Sequence, residues 1–204
     1  MLPHIVLITD PRYEDDVLVE KLDAALGVAP AGSVAVQLRD KARPTGQLLS
    51  LGPRLREVTR KHAAVLVVND RLDLALAVEA DGVHLGRLSV AVRDARRLVG
   101  PDAFVSVATH SHDELRQALD DGATAALLSP IFATPGKGEP LGLEALRIAH
   151  AMAPSFGVYA LGGIDSTNAR ACLEAGASGV ALIRAFFDEA DPAHAMKRLL
   201  DATG

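Results

Sequence analysis

The chain has 204 residues, 49% of them hydrophobic, and 21 Lys and Arg stand against 26 Asp and Glu for a net charge of −5. That length supports a sizeable core, and charges of both signs interspersed along it leave no basic face for nucleic acid and no acidic tail. No stretch approaches the ~20 apolar residues of a membrane span, no basic leader opens the chain, and the one cysteine, Cys172, allows no internal disulfide, so a cytoplasmic protein is expected.

The first apolar run, HIVLIT, ends in Thr9 and Asp10 and leads into an amphipathic segment over 15–27. SVAVQLR follows, and its period-two alternation sends Gln37, Arg39 and Lys41 to one side before a helical pattern over 45–62. AVLVVN ends in Asn69 and Asp70, ahead of a helix over 71–79. GVHLG carries His84 and Gly86 and precedes a helix over 90–99, and FVSVA runs to Thr109 and His110 before one over 112–121. TAALLS passes into a loop holding Thr134, Gly136 and Lys137, with a helix over 141–153 beyond it. GVYALG ends at Gly162 and Gly163 before a helix over 165–175, and GVALIR ends at Arg184 before the last helix, over 192–202.

Short β-branched runs alternating with amphipathic helices imply a parallel sheet covered by helices. An open doubly wound sheet and a closed (β/α)8 barrel both satisfy that rule. Eight regular units without a linker or a composition shift favour the α/β (β/α)8 TIM barrel as a single domain over 1–204, short against the usual ~250 residues. VEADGVHLG, DDGATAALLS and EAGASGVALIR repeat one helix–glycine–strand joint, which marks repeated βα architecture and no chemistry.

In such a barrel the C-terminal strand ends form the active face, and there the polar residues collect. Gln37, Arg39 and Lys41 point to a phosphate or carboxylate ligand, since two converging cations repel unless an anion joins them. The alternative is an ion pair of Arg39 with Asp10 or Asp70. Asp70 is either a helix cap or a hard oxygen ligand for Mg2+ beside a diphosphate. ATPGKG offers open backbone N–H groups and the mobile charge of Lys137, or is simply a solvated loop; the Walker spacing is absent. Gly162 and Gly163, with the SGVALIRAF segment, match the place where these barrels commonly bind phosphate, while Asp165 or Ser166 can cap the next helix. His84 reads as a structural hydrogen bonder, and His110 as a group able to exchange protons near neutral pH.

VQLRDK, VVNDRLDLALAVEADGVHLG, ATHSHDE, SPIFATPGK followed by PLGLEALR, and ALGGIDSTNA with GASGVALI together resemble the thiamine phosphate synthase family, which includes thiazole tautomerases. The resemblance implies a transferase of thiamine biosynthesis that joins hydroxymethylpyrimidine diphosphate to thiazole phosphate through a pyrimidine-methyl cation, releasing pyrophosphate and using Mg2+. By that resemblance Gln37, Arg39, Lys41, Asn69 and Lys137 hold the pyrimidine diphosphate and Asp70 binds the metal. Gly162, Gly163 and Ile183 hold the thiazole phosphate, Thr134 lines the substrate site, and Arg39, Lys41, His110 and Lys137 carry the catalysis. The implied partners are small phosphorylated molecules and a second copy of the chain in a homo-oligomer.

The chain departs from the family pattern at four places. Arg87, Leu88 and Ser89 replace a short acidic stretch that supplies a second metal carboxylate; Ala108 and Gly136 replace hydroxyl residues; Arg184 replaces a serine after the last strand. Hydrogen bonds to charged groups contribute roughly 1.5–3 kcal/mol each, so these losses weaken diphosphate binding. Two other readings share the scaffold: a thiazole tautomerase with His110 as acid/base, and a non-catalytic thiazole- or thiamine-phosphate-binding protein.

Overall fold

The computed structural model describes residues 2–204, so the expected domain limit at Met1 lies outside the described residues. In chain order the elements are β1 (Ile5–Ile8), α1 (Asp15–Leu26), β2 (Val34–Leu38), α2 (Thr45–Lys61), β3 (Val65–Asn69), α3 (Leu72–Ala77), β4 (Gly82–Leu85), α4 (Val92–Val99) and β5 (Phe104–Thr109). They continue as α5 (His112–Asp120), β6 (Ala125–Leu128), α6 (Gly142–Met152), β7 (Gly157–Leu161), α7 (Ala169–Glu174), β8 (Gly179–Leu182), α8 (Arg184–Phe187) and α9 (Pro192–Thr203). Each strand pairs in parallel with the next, and β8 closes on β1 through Ile5 opposite Val180, Val6 opposite Ala181 and Leu7 opposite Leu182. The result is the (β/α)8 barrel that the alternation implied.

Strand alternation sorts the apolar residues into two cores. Val6, Ile8, Ala35, Val67, Ala125, Leu127, Tyr159 and Ala181 pack together as one buried cluster, while Ile5, Leu7, Val34, Val36, Leu66, Val68 and Leu128 pack with the helices as another. Alternate residues of one strand therefore serve opposite faces, as the pleat requires. The inner cluster is low in the barrel: the Tyr159 hydroxyl donates to the carbonyl of Pro3 at 2.6 Å, just before β1 begins. Gln37, Asn69, His84 and Ser106 continue the same strands toward their C-terminal ends, so the interior becomes polar as it approaches the mouth.

Local sequence sets several boundaries. Ser111 caps α5, accepting from the Glu114 amide at 3.2 Å, and the Glu114 carboxylate accepts the amide of His110, one residue before the cap, at 2.6 Å, a variant of the capping box. Asp191 caps α9 with Pro192 at its first position. Two helices are shorter than their apolar periodicity suggests. The Asp165 carboxylate takes the Thr167 amide at 2.8 Å and its hydroxyl at 2.6 Å, a side-chain turn that delays α7 to Ala169. α3 spans only Leu72–Ala77 within the expected 71–79.

The last unit differs most from the sequence expectation. β8 stops at Leu182, and Arg184 opens the short α8 instead of ending the strand. Phe186 and Phe187 anchor α8; both are fully buried, their rings edge to face at 4.9 Å, and Tyr13 stands 6.1 Å from Phe187.

Candidate active site

One connected polar chain crosses the mouth from β2 to the loop after β4. Gln37 is 1% exposed and donates through Nε2 to Asn69 Oδ1 at 3.0 Å. Asn69 in turn donates through Nδ2 to Asp70 Oδ2 at 2.7 Å. Asp70 Oδ1 accepts the Gly86 amide at 3.1 Å and the Ser89 hydroxyl, and Ser89 Oγ itself accepts the Gly86 amide at 2.7 Å. Lys41 Nζ lies 3.9 Å from Asp70 Oδ2. Ser89, one of the three residues that replace the acidic stretch of the family pattern, therefore touches Asp70 directly.

Asp70 has φ +59°, a left-handed backbone uncommon outside glycine, and its amide donates to the His84 carbonyl at 2.9 Å. It does not cap α3, whose preceding residue is Arg71 and which has no side-chain cap. Partial burial by itself would raise the Asp70 pKa, but the Ser89 hydroxyl, the Gly86 amide and the Lys41 charge hold it below the usual carboxylate value. The carboxylate is ionised, partly exposed and aimed by its neighbours.

Neither ion pair that stood as the alternative for Arg39 forms. Asp10 is taken by Arg12 in a two-oxygen clamp at 2.6–3.0 Å, and Arg12 bridges on to Asp188 at 2.6 Å, tying the β1–α1 loop to α8. Asp70 pairs with Lys41. The Arg39 backbone is pinned by Thr9, whose hydroxyl accepts the Arg39 amide at 2.8 Å and donates to its carbonyl at 3.2 Å. Among the described residues the side chains of Arg39, Lys137 and Arg184 make neither an ion pair nor a hydrogen bond. These are uncommitted cations just after β2, in the β6–α6 loop and at the start of α8.

His84 is buried, with Nδ1 2.9 Å from the Ser106 hydroxyl, in accord with its structural reading. Burial pushes its pKa down to about 4, with Arg39 and Lys41 assisting and Asp70 opposing. A histidine that is neutral to pH about 4 when folded, yet protonates near 6.5 when unfolded, favours unfolding as the pH falls across that interval. The stability lost should approach about 3 kcal/mol. Urea denaturation is expected to weaken more between pH 6.5 and 4 in the wild type than in His84→Gln; parallel profiles would contradict a neutral buried imidazole.

The β6–α6 and β7–α7 loops are sewn together. Ile131 donates to the Leu161 carbonyl at 2.9 Å and Phe132 to that of Gly162 at 3.0 Å, extending the pairing beyond the strands. Gly162 (φ +95°) and Gly163 (φ +66°) permit this approach: a Cβ on Gly162 would lie 2.8 Å from Pro130 Cα and 3.1 Å from Thr134 Oγ1, and one on Gly163 would lie 2.8 Å from Phe132 Cβ. The glycine pair thus has a packing role irrespective of any ligand. Gly162→Ala is expected to destabilise the fold by about 1–3 kcal/mol, read as a lower denaturation midpoint; an unchanged midpoint would show that the loops yield.

Thr134 Oγ1 donates to the Phe132 carbonyl at 2.9 Å, and the Lys137 amide closes a turn onto the Thr134 carbonyl at 3.1 Å around Gly136. Ile183 packs on the inner cluster at the start of α8. His110 stands beyond β5, exposed, with Nδ1 3.2 Å from Glu114 Oε2. The structure thus joins Gln37, Asn69, Asp70 and Lys41 in one network and packs Thr134 close to the Gly162–Gly163 turn, while the side chains of Arg39, His110, Lys137 and Ile183 make no hydrogen bond to either group. Sequence reading did not single out Arg12 or Ser106, nor Thr9 as the anchor of Arg39. Only Arg12, two residues after Asp10 and able to clamp it locally, left a sequence signal.

Fold and strand-end chemistry define a (β/α)8-barrel enzyme with a cation-lined mouth around one ionised carboxylate. The sequence model of the thiamine monophosphate synthase family matches residues 5–186. The chain is 44% identical over 181 residues to a thiamine-phosphate synthase of Moorella thermoacetica, covering 87% of this chain and 86% of that protein. Against a thiamine-phosphate synthase of Gloeobacter violaceus it is 42% identical over 190 residues, 92% of this chain but 54% of the relative, so it spans about half of that protein's length. The solved thiamine phosphate pyrophosphorylase from Pyrococcus furiosus superposes with a TM-score of 0.87 at 32% identity, covering 98% of this chain and 95% of that one. The chain belongs to the thiamine monophosphate synthase family.

Proposed function

We propose that this protein is a thiamine-phosphate synthase, a Mg2+-dependent transferase that joins hydroxymethylpyrimidine diphosphate to thiazole phosphate and releases pyrophosphate. It does so as one domain over 1–204, in the cytoplasm. The observation that carries the reading is the Gln37–Asn69–Asp70 chain beside Lys41, with Arg39 uncommitted just past the end of the strand that carries Gln37. A tautomerase has no use for this assembly, because shifting protons on a thiazole ring involves no diphosphate. His110, the residue that reading depends on, is exposed and engaged with Glu114.

The residues divide the work by their chemistry. Arg39 presents a planar fork with no protein partner, suited to two oxygens of one phosphoryl group. Lys41 and Lys137 add point charges, and Gln37 fixes the Asn69 amide that shares the site. Negative charge grows on the leaving pyrophosphate as the C–O bond breaks, and cations already in place stabilise that charge without reorganising. The Gly162–Gly163 turn, Thr134, and the strand end at Ile183 form the opposite side of the mouth, where the thiazole phosphate would be held with its ring nitrogen aligned for attack. His110 at the end of β5 is assigned to proton handling at the rim.

The donor set fits Mg2+. Asp70 is a hard oxygen ligand kept ionised, and among the described residues no group of three or more His, Cys, Asp or Glu forms a closed cage. Mg2+ is commonly held by one or two carboxylates with substrate phosphates completing its shell. Asp70 would hold it, and the ion would supply charge neutralisation at the diphosphate. The test is conversion of the two substrates to thiamine phosphate, followed by chromatography with and without Mg2+. Folded protein that converts thiazole carboxylate phosphate to its isomer and makes no thiamine phosphate would transfer the assignment to the tautomerase.

A further inference from the structure

Asp70 is crowded by this chain's own donors. Its two oxygens accept from the Asn69 amide at 2.7 Å, the Gly86 backbone at 3.1 Å and the Ser89 hydroxyl. A carboxylate has about four lone-pair sites, so three hydrogen bonds leave little to offer, and the one ion-pair partner among the described residues is Lys41, 3.9 Å from Oδ2. The aspartate is held there with a left-handed backbone at φ +59°, a conformation that neighbouring bonds must enforce. Where a second carboxylate would attract a divalent ion, Ser89 brings a neutral hydroxyl that already bonds to Asp70.

We propose that in the free protein Asp70 is satisfied by Lys41, Asn69, Ser89 and Gly86, and that a divalent cation is taken up only together with a diphosphate. The diphosphate draws the Lys41 ammonium away and adds the oxygens the site lacks. This rests on reading the mouth as a diphosphate site. One carboxylate opposed by a lysine is a weak metal site, because affinity for a hard cation follows the number and charge of its oxygen ligands. Lys41 is 60% exposed at its side chain and free to swing, whereas Asn69 is also held by Gln37 and the Gly86 donor is a backbone amide. Lys41 is therefore the group that moves, and Ser89 is a positioning residue that aims Oδ1 while contributing no charge.

The experiment measures free Mn2+, as a reporter for Mg2+, by electron paramagnetic resonance during titration with anion-free protein. Wild type is expected to bind no more Mn2+ than Asp70→Asn. Ser89→Asp, which restores a second carboxylate, and Lys41→Ala, which removes the competing cation at an exposed position, should each tighten binding by ~10-fold or more. A parallel dialysis follows labelled pyrophosphate with Mg2+ present: wild type should retain it and Asp70→Asn should not. Asp70-dependent Mn2+ binding by the anion-free wild type as tight as that of Ser89→Asp would overturn the inference, and so would equal pyrophosphate retention by Asp70→Asn. Neither arm reads turnover, so failure to make thiamine phosphate would count against the functional reading alone.

Discussion

Arg39→Ala is expected to lower the rate of thiamine phosphate formation by about 10²–10³-fold, the loss typical of removing one preorganised donor from a developing anion. The structure makes the substitution specific. Arg39 has no ion pair to break, its backbone is held by Thr9 through atoms that alanine retains, and its side chain is only partly buried at the mouth. Thermal stability should therefore change little while kcat/KM collapses. Arg39→Lys should recover only part of the activity, because an ammonium keeps the charge and loses the fork that spans two oxygens. An unchanged kcat/KM in the alanine variant would remove Arg39 from the site. Equal rescue by lysine would show that charge alone matters.

Asp70→Asn should cost about 10²-fold or more at a given Mg2+ concentration, with the deficit insensitive to added metal. Asparagine has the same shape and tolerates the left-handed backbone that Asp70 adopts at φ +59°, so the change tests charge with little added strain. Its amide still offers one oxygen to the Gly86 N–H and the Ser89 hydroxyl, and the new NH2 group is accommodated when the Asn69 and Gln37 side-chain amides turn over together. Circular dichroism and the denaturation midpoint are expected to match the wild type within about 1 kcal/mol. A metal-dependent rate close to that of the wild type would place the ion elsewhere.

Much of the fold was legible because barrel architecture repeats its signals. Eight short apolar runs, each bounded by an amphipathic segment, leave few alternatives once no linker interrupts them. α8 escaped because RAFF is four residues long, too short for a helical period to show, and its burial depends on Tyr13 from the other end of the chain. α7 began late because Asp165 and Thr167 form their own side-chain turn, a local competition that apolar spacing does not register.

Legibility of the site followed the same division. Gln37 was placed by strand alternation and Asn69 by its place at a strand end, and the structure puts them in hydrogen-bond contact. Contacts made by loops were not readable. Sequence spacing does not bring Ser89 onto Asp70, and the alternative it left open, a pair between Arg39 and Asp10, is preempted by Arg12 from two residues away. Gly162 and Gly163 were recognised as a place of close approach, but the backbone approaching them is that of the β6–α6 loop. SHDE illustrates the same limit: quoted as part of a family motif beside His110, it also caps α5 and engages the ring of His110.

Purified protein supplied with hydroxymethylpyrimidine diphosphate and thiazole phosphate, once with Mg2+ and once after chelation, tests the central claim most directly. Thiamine phosphate and pyrophosphate appearing in equal amounts, and only in the metal-containing reaction, is the predicted result. Folded protein that forms neither product with Mg2+ present would contradict it.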